Sequence, residues 1–404
     1  MSTNNPRYDL WAPRTRANPL PLYARMREEA PVVRLYDPHL RTPVWVVTRY
    51  KDAVELVRDS RFTKDMRKLS AEARDRQARS DAMEAINQHM LMADPPDHTR
   101  LRTLVSKAFT PRRVEELRSR VTAITNELLD DVRAQGSVDL LDAFAFPLPI
   151  TVIAELLGVP VEDREQFREW TNIVINPPIN GDFAPMQKAG MEFIQYFQKL
   201  LERRRAEPRD DLLTALMSVE EQGDRLSPLE LISMLFLLLV AGHETTVNLI
   251  GNGVWALLQH PEQLARLRAN PALIEPAVEE MLRYRGPVET TTQRWALQDT
   301  EFHGHVIPAG EPILASLMSA DHDPEQFRDP ERFDIGREPN RHIAFGFGIH
   351  FCLGAPLARL EATVAINLLL ERMPRLRLAV DPAELRWREG ILVHGLQRLP
   401  VSVD

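Results

Sequence analysis

One apolar stretch near the middle of the chain limits the folds that this sequence can adopt. It reads SPLELISMLFLLLVAGHETTVNLIGNGVWALLQHP and begins at Ser227. Ser227 and Glu230 form a capping-box pattern, with Pro228 at the first helical position. Pro261 ends the helix after His260. At about 1.5 Å per residue the predicted helix is roughly 50 Å long, so the rest of the fold has to pack around it.

The segments around this helix predict a mainly α fold with a small β-sheet region, an α+β class. PVVRLY and PVWVVTRY, within residues 31–50, are typical of a hairpin. ALIEPAVEEMLRYR and PLARLEATVAINLLLERM predict two further helices, and the tail from residue 376 to 403 predicts strands. Residues 64–88 are dense in mixed charge, so we expect exposed helix and loop there. NPPINGDFAP, from Asn176 to Pro185, predicts a turn between two helices of the kind that forms a mobile lid.

Composition excludes several classes of protein. The 404 residues contain 50 basic and 58 acidic side chains and no basic block, which argues against a nucleic-acid binder. A single cysteine cannot form an intramolecular disulfide, so we expect a reducing, cytoplasmic setting. The N-terminus has no signal-peptide pattern, and the longest apolar run, from Leu231 to Gly242, is too short to span a bilayer. We therefore expect a cytoplasmic protein without a membrane anchor.

That single cysteine, Cys352, lies in FGFGIHFCLG, a segment with little side-chain bulk. Such a cysteine is most often a small buried hydrophobic residue. Here Gly346, Gly348 and Gly354 let the backbone approach the sulfur or a flat ligand closely. The helix that follows directs its positive N-terminal end at the sulfur, which favours a thiolate. No histidine stands at zinc-ligand spacing, whereas haem iron needs only one protein ligand.

The middle of the long helix carries an acid and an alcohol side by side. Within AGHETT, Glu244 is costly in an apolar helix unless it is paired or functional. It could lie on a solvated stripe, with Thr245 bonded to a carbonyl one turn earlier. Alternatively, the acid and the alcohol relay protons to a buried reaction centre. Gly242 would let something flat press against the helix.

Two further sets of charges are weak signals on their own. Glu280 and Arg283 lie three residues apart on one predicted helix, the spacing of an ordinary helix salt bridge. Four scattered side chains could serve a doubly anionic ligand, although each alone would be interpreted as a surface charge: His98, Arg102, Arg294 and His350.

Taken in order, these motifs resemble the cytochrome P450 family of haem-thiolate monooxygenases, in its soluble bacterial class. The cysteine segment is similar to the family's haem-binding signature at each defining position: Phe345, Gly346, Gly348, His350, Cys352 and Gly354. AGHETT is similar to the oxygen-activation motif, and Glu280 with Arg283 matches the glutamate-x-x-arginine motif. DPPDHTRLRTLVSKAFTP resembles the family's helix beside the haem. The resemblance extends from about Asp9 to the C-terminus.

The resemblance implies a role for each of these residues. Cys352 would be the axial thiolate of haem b, iron protoporphyrin IX. The propionates would be bonded by His98, Arg102, Arg294 and His350. Ala241, Gly242, Phe345 and Gly354 would contact the haem, and Glu244 with Thr245 would deliver protons. Glu280 and Arg283 would be structural, with a third basic group to be supplied by Arg332, Arg337 or His342.

The resemblance also implies a reaction and its partners. One atom of O2 would enter a lipophilic organic substrate, by hydroxylation or epoxidation of a natural product, steroid, terpenoid or fatty acid. Electrons would come from a separate ferredoxin and ferredoxin reductase, since residues 1–404 are expected to form a single P450 domain with no fused redox domain. Arg112, Arg113 and Arg359 are candidates for docking an acidic ferredoxin.

Two alternatives remain at this point. The first is a haem-thiolate enzyme that performs oxidative coupling or peroxide-driven oxidation, although peroxide-driven members typically lack the acid–alcohol pair that is intact here. The second is a non-enzymatic haem carrier or sensor.

By position, the substrate pocket is expected to be mostly aliphatic, as suits a lipophilic molecule. Its predicted wall residues are Met90, Leu91, Leu237, Val240, Ala241, Val288, Thr290, Thr291, Ile391, Leu392 and Val393. Glu289 is the charged residue nearest to this set in the sequence. These residues could equally well be core formers.

Overall fold

The computed structural model describes residues 7–39, 41–76, 81–175, 184–220 and 223–403. Within these ranges the chain is mainly helical. The helices are α1 Pro13–Ala17, α2 Leu20–Glu29, α3 Tyr50–Arg58, α4 Ala71–Arg76, α5 Asp81–Ile86, α6 Asp97–Ala108, α7 Pro111–Glu116, α8 Arg118–Gln135, α9 Pro147–Leu156, α10 Arg164–Ile175, α11 Ala184–Ala206, α12 Leu212–Ser218, α13 Pro228–Gln259, α14 Pro261–Ala269, α15 Ile274–Arg285, α16 Leu317–Ala320 and α17 Ala355–Arg372.

The strands are short and form three sheets. They are β1 Val32–Asp37, β2 Thr42–Val47, β3 Phe62–Thr63, β4 Ser137–Asp139, β5 Arg294–Ala296, β6 Thr300–Phe302, β7 His305–Ile307, β8 Pro312–Ala315, β9 Arg377–Leu378 and β10 Pro400–Ser402. The largest sheet has the order β1-β2-β8-β5-β3, the second β4-β10-β9, and the third pairs β6 with β7. The predicted hairpin is confirmed as the antiparallel pair β1 and β2, in the register Val32 opposite Val47.

The predicted long helix, α13, is also confirmed. Ser227 Oγ accepts from the backbone N–H of Glu230, and the Glu230 carboxylate accepts from the N–H of Ser227, which completes the capping box. By length and apolar composition α13 could cross a membrane, but 67% of its most apolar window is buried within the fold. It packs against α9, α15 and α17, and this packing accounts for its apolar character.

Two expectations needed correction. The tail forms only the short strands β9 and β10 and two isolated bridges, because prolines and turns interrupt the pairing. In the segment expected to be exposed, Lys64 and Asp65 are 2% and 5% exposed, because they follow β3 into the sheet. The predicted lid at residues 176–185 lies outside the described residues except for its last two, which begin α11.

Candidate functional site

The cysteine loop is held by its own backbone immediately before α17. The N–H of Cys352 donates to the carbonyl of Phe345 at 2.9 Å, and the N–H of Gly346 donates to that of Ile343 at 2.7 Å. Gly346 and Gly348 both have φ of +74°, in the left-handed region where a side chain is strained. The glycines therefore shape the loop that presents the sulfur.

Cys352 combines an accessible surface with close surroundings of protein atoms. Its surface is accessible, yet surrounding protein atoms make burial the largest influence on its thiol and raise its pKa. The backbone N–H groups of Gly354 and Ala355 and the nearby Arg102 oppose that rise without overcoming it. The helix end therefore acts in the expected direction and favours the thiolate, but burial outweighs it and the pKa of Cys352 is raised. A thiol that coordinates a metal is deprotonated by the metal itself.

Five basic side chains lie close to one another near Cys352, and we call them the cation cluster: Lys64, His98, Arg102, Arg294 and His350. Burial is the largest influence on every one of these groups and lowers every pKa, to about 10 for Arg294 and to about 2 for His350. The rings of His98 and His350 lie 4.4 Å apart, centre to centre. The structure thus brings together the four side chains that the sequence left scattered.

Several polar atoms of this cluster are buried without a hydrogen-bond partner. They are both ring nitrogens of His98, Nε of Arg294 and Nε2 of His350. Within the described residues, Asp94 is the one carboxylate that acts on the cluster, and it already accepts from Thr63, from the N–H of Lys64 and from Lys68. Buried donors of this kind need an acceptor. The arrangement therefore fits a ligand that carries more than one anionic group.

Sequence reasoning missed Lys64. Its side chain is 2% exposed, and Nζ donates to the carbonyl and hydroxyl oxygens of Thr292. It acts electrostatically on His350 and Arg294, which places it inside the cluster. The sequence signal was a lysine directly after a short strand, and only the pairing of β3 with β5 brings it next to Arg294.

The middle of α13 opens onto accessible space. Ala241 is exposed and Thr245 half-buried, although both lie in the centre of a mostly buried helix. At Gly242, a β-carbon would lie 3.2 Å from the side chain of Ile153 on α9. The absence of a side chain there eases the contact between the two helices, and the expectation that Gly242 also leaves room for a flat ligand stays a prediction.

Glu244 has a partner that the sequence did not reveal. Its Oε1 lies 2.6 Å from Nη2 of Arg388 and 3.2 Å from Nδ2 of Asn248, and the residue is 4% exposed. The hydroxyl of Thr245 donates to the carbonyl of Ala241 at 2.8 Å, one turn earlier. Thr245 is therefore bonded to the helix backbone, and the neighbouring acid, Glu244, is paired.

Glu280 and Arg283 lie in a closed network of charges. Arg283 donates to both carboxylate oxygens of Glu280, at 2.7 and 2.9 Å, and both residues are fully buried. The third basic group, left open by the sequence, is Arg337, whose Nε lies 3.1 Å from Glu280. Arg332 contributes only its carbonyl, and His342 bonds Glu279 instead.

The predicted pocket residues fall into two groups. Eight have accessible surface, as wall residues require: Leu91, Leu237, Val240, Ala241, Val288, Thr291, Leu392 and Val393. Met90, Thr290 and Ile391 are buried, and Ile391 packs in a cluster with Tyr8 and Leu314. Little of the surface of these three is accessible, and their place in the pocket wall stays a prediction. Glu289 is fully buried as well, bonded to Arg16 and to the hydroxyl of Tyr23.

The three arginines expected to dock a redox partner differ in availability. Arg112 is highly exposed, with a partner one turn away at Glu116. Arg113 is half-buried and donates to the carbonyl of Ala108. Arg359 is bonded to Glu279 at 2.6 Å and lies over the ring of Phe345. Arg112 is therefore the most accessible of the three.

Comparison with known proteins shows the family to which this chain belongs. The cytochrome P450 family model matches residues 10–382. The cytochrome P450 monooxygenase PikC of Streptomyces venezuelae is 49% identical over 388 residues, covering 95% of this chain and 91% of that protein. The polyketide biosynthesis cytochrome P450 PksS of Bacillus subtilis is 45% identical over 390 residues, covering 96% of each chain.

A solved structure shows the same fold. The myxobacterial cytochrome P450 CYP267B1, in complex with myristic acid, superposes with a TM-score of 0.94 at 50% identity, over 98% of each chain. This chain belongs to the cytochrome P450 family. It is a cytochrome P450 monooxygenase, and its cofactor is haem, iron protoporphyrin IX.

Proposed function

We propose that Cys352 is the axial ligand of the haem and that the cation cluster holds the haem propionates. The observation that carries this proposal is the set of unpaired buried donors on His98, Arg294 and His350 beside the cysteine loop. Charge-assisted bonds to two carboxylates would satisfy these donors. When bound, a thiolate-ligated haem supplies the activation of O2.

The residues of α13 would transfer protons to the reaction site and exclude water from it. Ala241 offers a small, exposed surface in the middle of α13, and Thr245 places a hydroxyl one turn further along that helix. We propose that Glu244 passes protons from solvent to the Thr245 hydroxyl. Around them, aliphatic side chains such as Val240 and Leu237 would keep the site apolar.

The substrate would be a lipophilic molecule of polyketide or fatty-acid type. The eight accessible wall residues are aliphatic apart from Thr291 and carry no charge. Glu289, the nearest charged residue in sequence, is occupied by Arg16 and Tyr23. Relatives support the class, since PksS is named for polyketide biosynthesis and CYP267B1 was solved with myristic acid.

Electrons would come from a ferredoxin and its reductase, with residues 1–404 acting as one P450 domain in the cytoplasm. Arg112 is the exposed cation on the segment after α6, and Ile349 and Phe351 are 49% and 41% exposed on the cysteine loop. Exposed apolar side chains and an exposed cation are suited to an acidic, partly apolar partner. Arg359 and Arg113 would contribute little, because both already have partners.

One spectrum and one turnover assay test this function. The ferrous–CO complex of the parent should absorb far to the red, as thiolate ligation requires, and Cys352→Ser should lose that band while it still binds haem. An unshifted parent band would contradict the ligation. With a surrogate plant-type ferredoxin and its reductase, myristic acid should give oxygenated products that contain one atom from O2. Coupled dimers, or turnover with peroxide alone, would instead favour the alternative chemistry.

A further inference from the structure

Glu244 is fixed by a segment that lies far away in the sequence. Residues 386–397 fold back on themselves, and we call them the C-terminal hairpin. The N–H of Arg388 donates to the carbonyl of Gly395 at 2.9 Å, and the N–H of Gln397 to that of Arg386 at 2.8 Å. Trp387 and Leu396 form a β-bridge between these bonds. The backbone on both sides of Arg388 is therefore defined.

This hairpin packs along α13 for three helical turns beyond Glu244. A β-carbon on Gly395 would lie 1.6 Å from Oδ1 of Asn248, so only glycine allows the contact. One turn further, Nδ2 of Asn252 donates to the carbonyl of His394 at 2.9 Å. The rings of Trp255 and Trp387 lie 5.1 Å apart. The position of Arg388 relative to α13 is thus set by contacts that do not involve Glu244.

The carbonyl of Arg388 is held from its other side. It accepts from Nε of Arg16, whose guanidinium bonds the buried carboxylate of Glu289. Arg388 is 20% exposed in its side chain, against 6% for Glu244, so the arginine is the solvent-facing member of the pair. With its backbone fixed in this way, Arg388 brings its guanidinium to the Glu244 carboxylate from one direction and so favours one orientation of that carboxylate.

We propose that Arg388 is a positioning residue that holds the Glu244 carboxylate in the orientation needed for proton transfer to Thr245. This inference rests on the proposed function of the Glu244–Thr245 pair. Each proton that Glu244 gives up is replaced from solvent, so the carboxylate has to return to the same place in every cycle. Without the guanidinium, a buried carboxylate has Asn248 as its remaining side-chain hydrogen-bond donor among the described residues.

The test follows NADPH consumption with a surrogate ferredoxin and reductase and needs no organic substrate. Reduction of O2 to H2O2 uses one NADPH, and reduction to two H2O uses two, so the O2-to-NADPH ratio reports how protons are delivered. In Arg388→Met we expect the share of H2O2 to rise and the solvent isotope effect in D2O to change. Misplacement of a proton-transfer group by about 1 Å costs on the order of a hundredfold in rate, so at least a tenfold slower step is expected.

Matched variants distinguish a loss of Glu244 positioning from a folding defect. Arg388→Lys keeps the charge and should restore most of the parent behaviour, and Arg386→Met, an exposed arginine of the same hairpin, should not differ from the parent. Glu244→Gln combined with Arg388→Met should behave like Glu244→Gln alone, because Arg388 acts through Glu244. Independent, multiplicative effects, or an Arg388→Met protein that matches Arg386→Met, would overturn the proposal.

The ferrous–CO spectrum distinguishes a failure of the proposed function from a failure of the proposed role of Arg388. An unshifted ferrous–CO band in the parent would remove the proposed function. A normal band in every variant, with unchanged peroxide share and isotope effect in Arg388→Met, would remove only the role of Arg388.

Discussion

Two buried groups of charged side chains differ in how their charges are paired. In the first, every charge has an opposite partner among Glu280, Arg283 and Arg337. In the second, the cation cluster, Lys64 and Arg294 are buried without such a partner among the described residues. Arg283 bonds the Glu280 carboxylate and the carbonyls of three residues in the segment that leads to the cysteine loop. In the cation cluster, by contrast, Arg294 has an unpaired Nε, and Asp94 already has its own donors.

Because of this difference, we expect the first group to support the stability of the fold and the second to support the binding of a ligand. Removal of a charge from water costs several kcal/mol unless a partner compensates for it. A closed network compensates within the chain, so it supports the fold whether or not a ligand is present. The open cluster leaves that cost uncompensated, and the proposed anionic ligand, haem, would supply the missing partners.

The largest expected effect comes from breaking the closed network. Glu280→Gln leaves two buried guanidinium groups without a countercharge, so we expect a loss of about 3–5 kcal/mol in the free energy of unfolding. Urea unfolding of the haem-loaded protein measures it, with Glu331→Gln, an exposed acid of the same segment, as the control. A loss below about 1 kcal/mol, against that range, would show that the network does not support the fold.

A smaller effect tests a buried acid next to this network. Burial raises the pKa of Asp321 to about 7, while its ordinary value is 3.8. Between these pH values the folded protein binds a proton that the unfolded chain does not, so this group's contribution to stability falls as pH rises.

Asp321→Asn removes that titration and keeps an oxygen for the N–H of Ile343. The stability of the variant relative to the parent should therefore rise between pH 4 and pH 7, by at most about 1.4 kcal/mol per pH unit. Unfolding curves at three pH values measure it. A pH-independent difference between the two proteins would contradict the raised pKa.

The smallest expected effect concerns Lys64. Lys64→Met removes one cation from the open cluster, which should lower the haem reduction potential and speed haem loss by a few fold, equivalent to about 1 kcal/mol. Lys68→Met is the matched control, since Lys68 bonds the same Asp94 but is 43% exposed. If the two variants had the same potential, Lys64 would not belong to the haem site.

Local patterns in the sequence were sufficient to predict helices and strands, but not the interaction partners of individual side chains. The capping box of α13 and the hairpin of β1 and β2 depend on residues a few positions apart, and both were predicted correctly. Arg337 could not be chosen over two other basic residues, because it lies 57 positions from Glu280. Arg388 was missed altogether, since nothing near it in the sequence points to Glu244.

The sequence assigned other roles from residue type alone, and the structure adds contacts that the sequence did not indicate. A β-carbon at Gly242 would lie 3.2 Å from Ile153, and Ile391 packs in one cluster with Tyr8 and Leu314. An aliphatic residue suits a core or a pocket wall equally well, so residue type alone could not decide between the two.

The central claim is that the open cluster exists to bind the two propionates of haem. Its most direct test is the rate at which haem leaves the loaded protein for excess apomyoglobin, in the parent, in Arg294→Met and in Arg375→Met, an exposed control. Loss of a charge-assisted bond should make Arg294→Met lose haem about tenfold faster or more, with no change in the control. Equal rates in all three proteins would show that the cluster serves some other purpose.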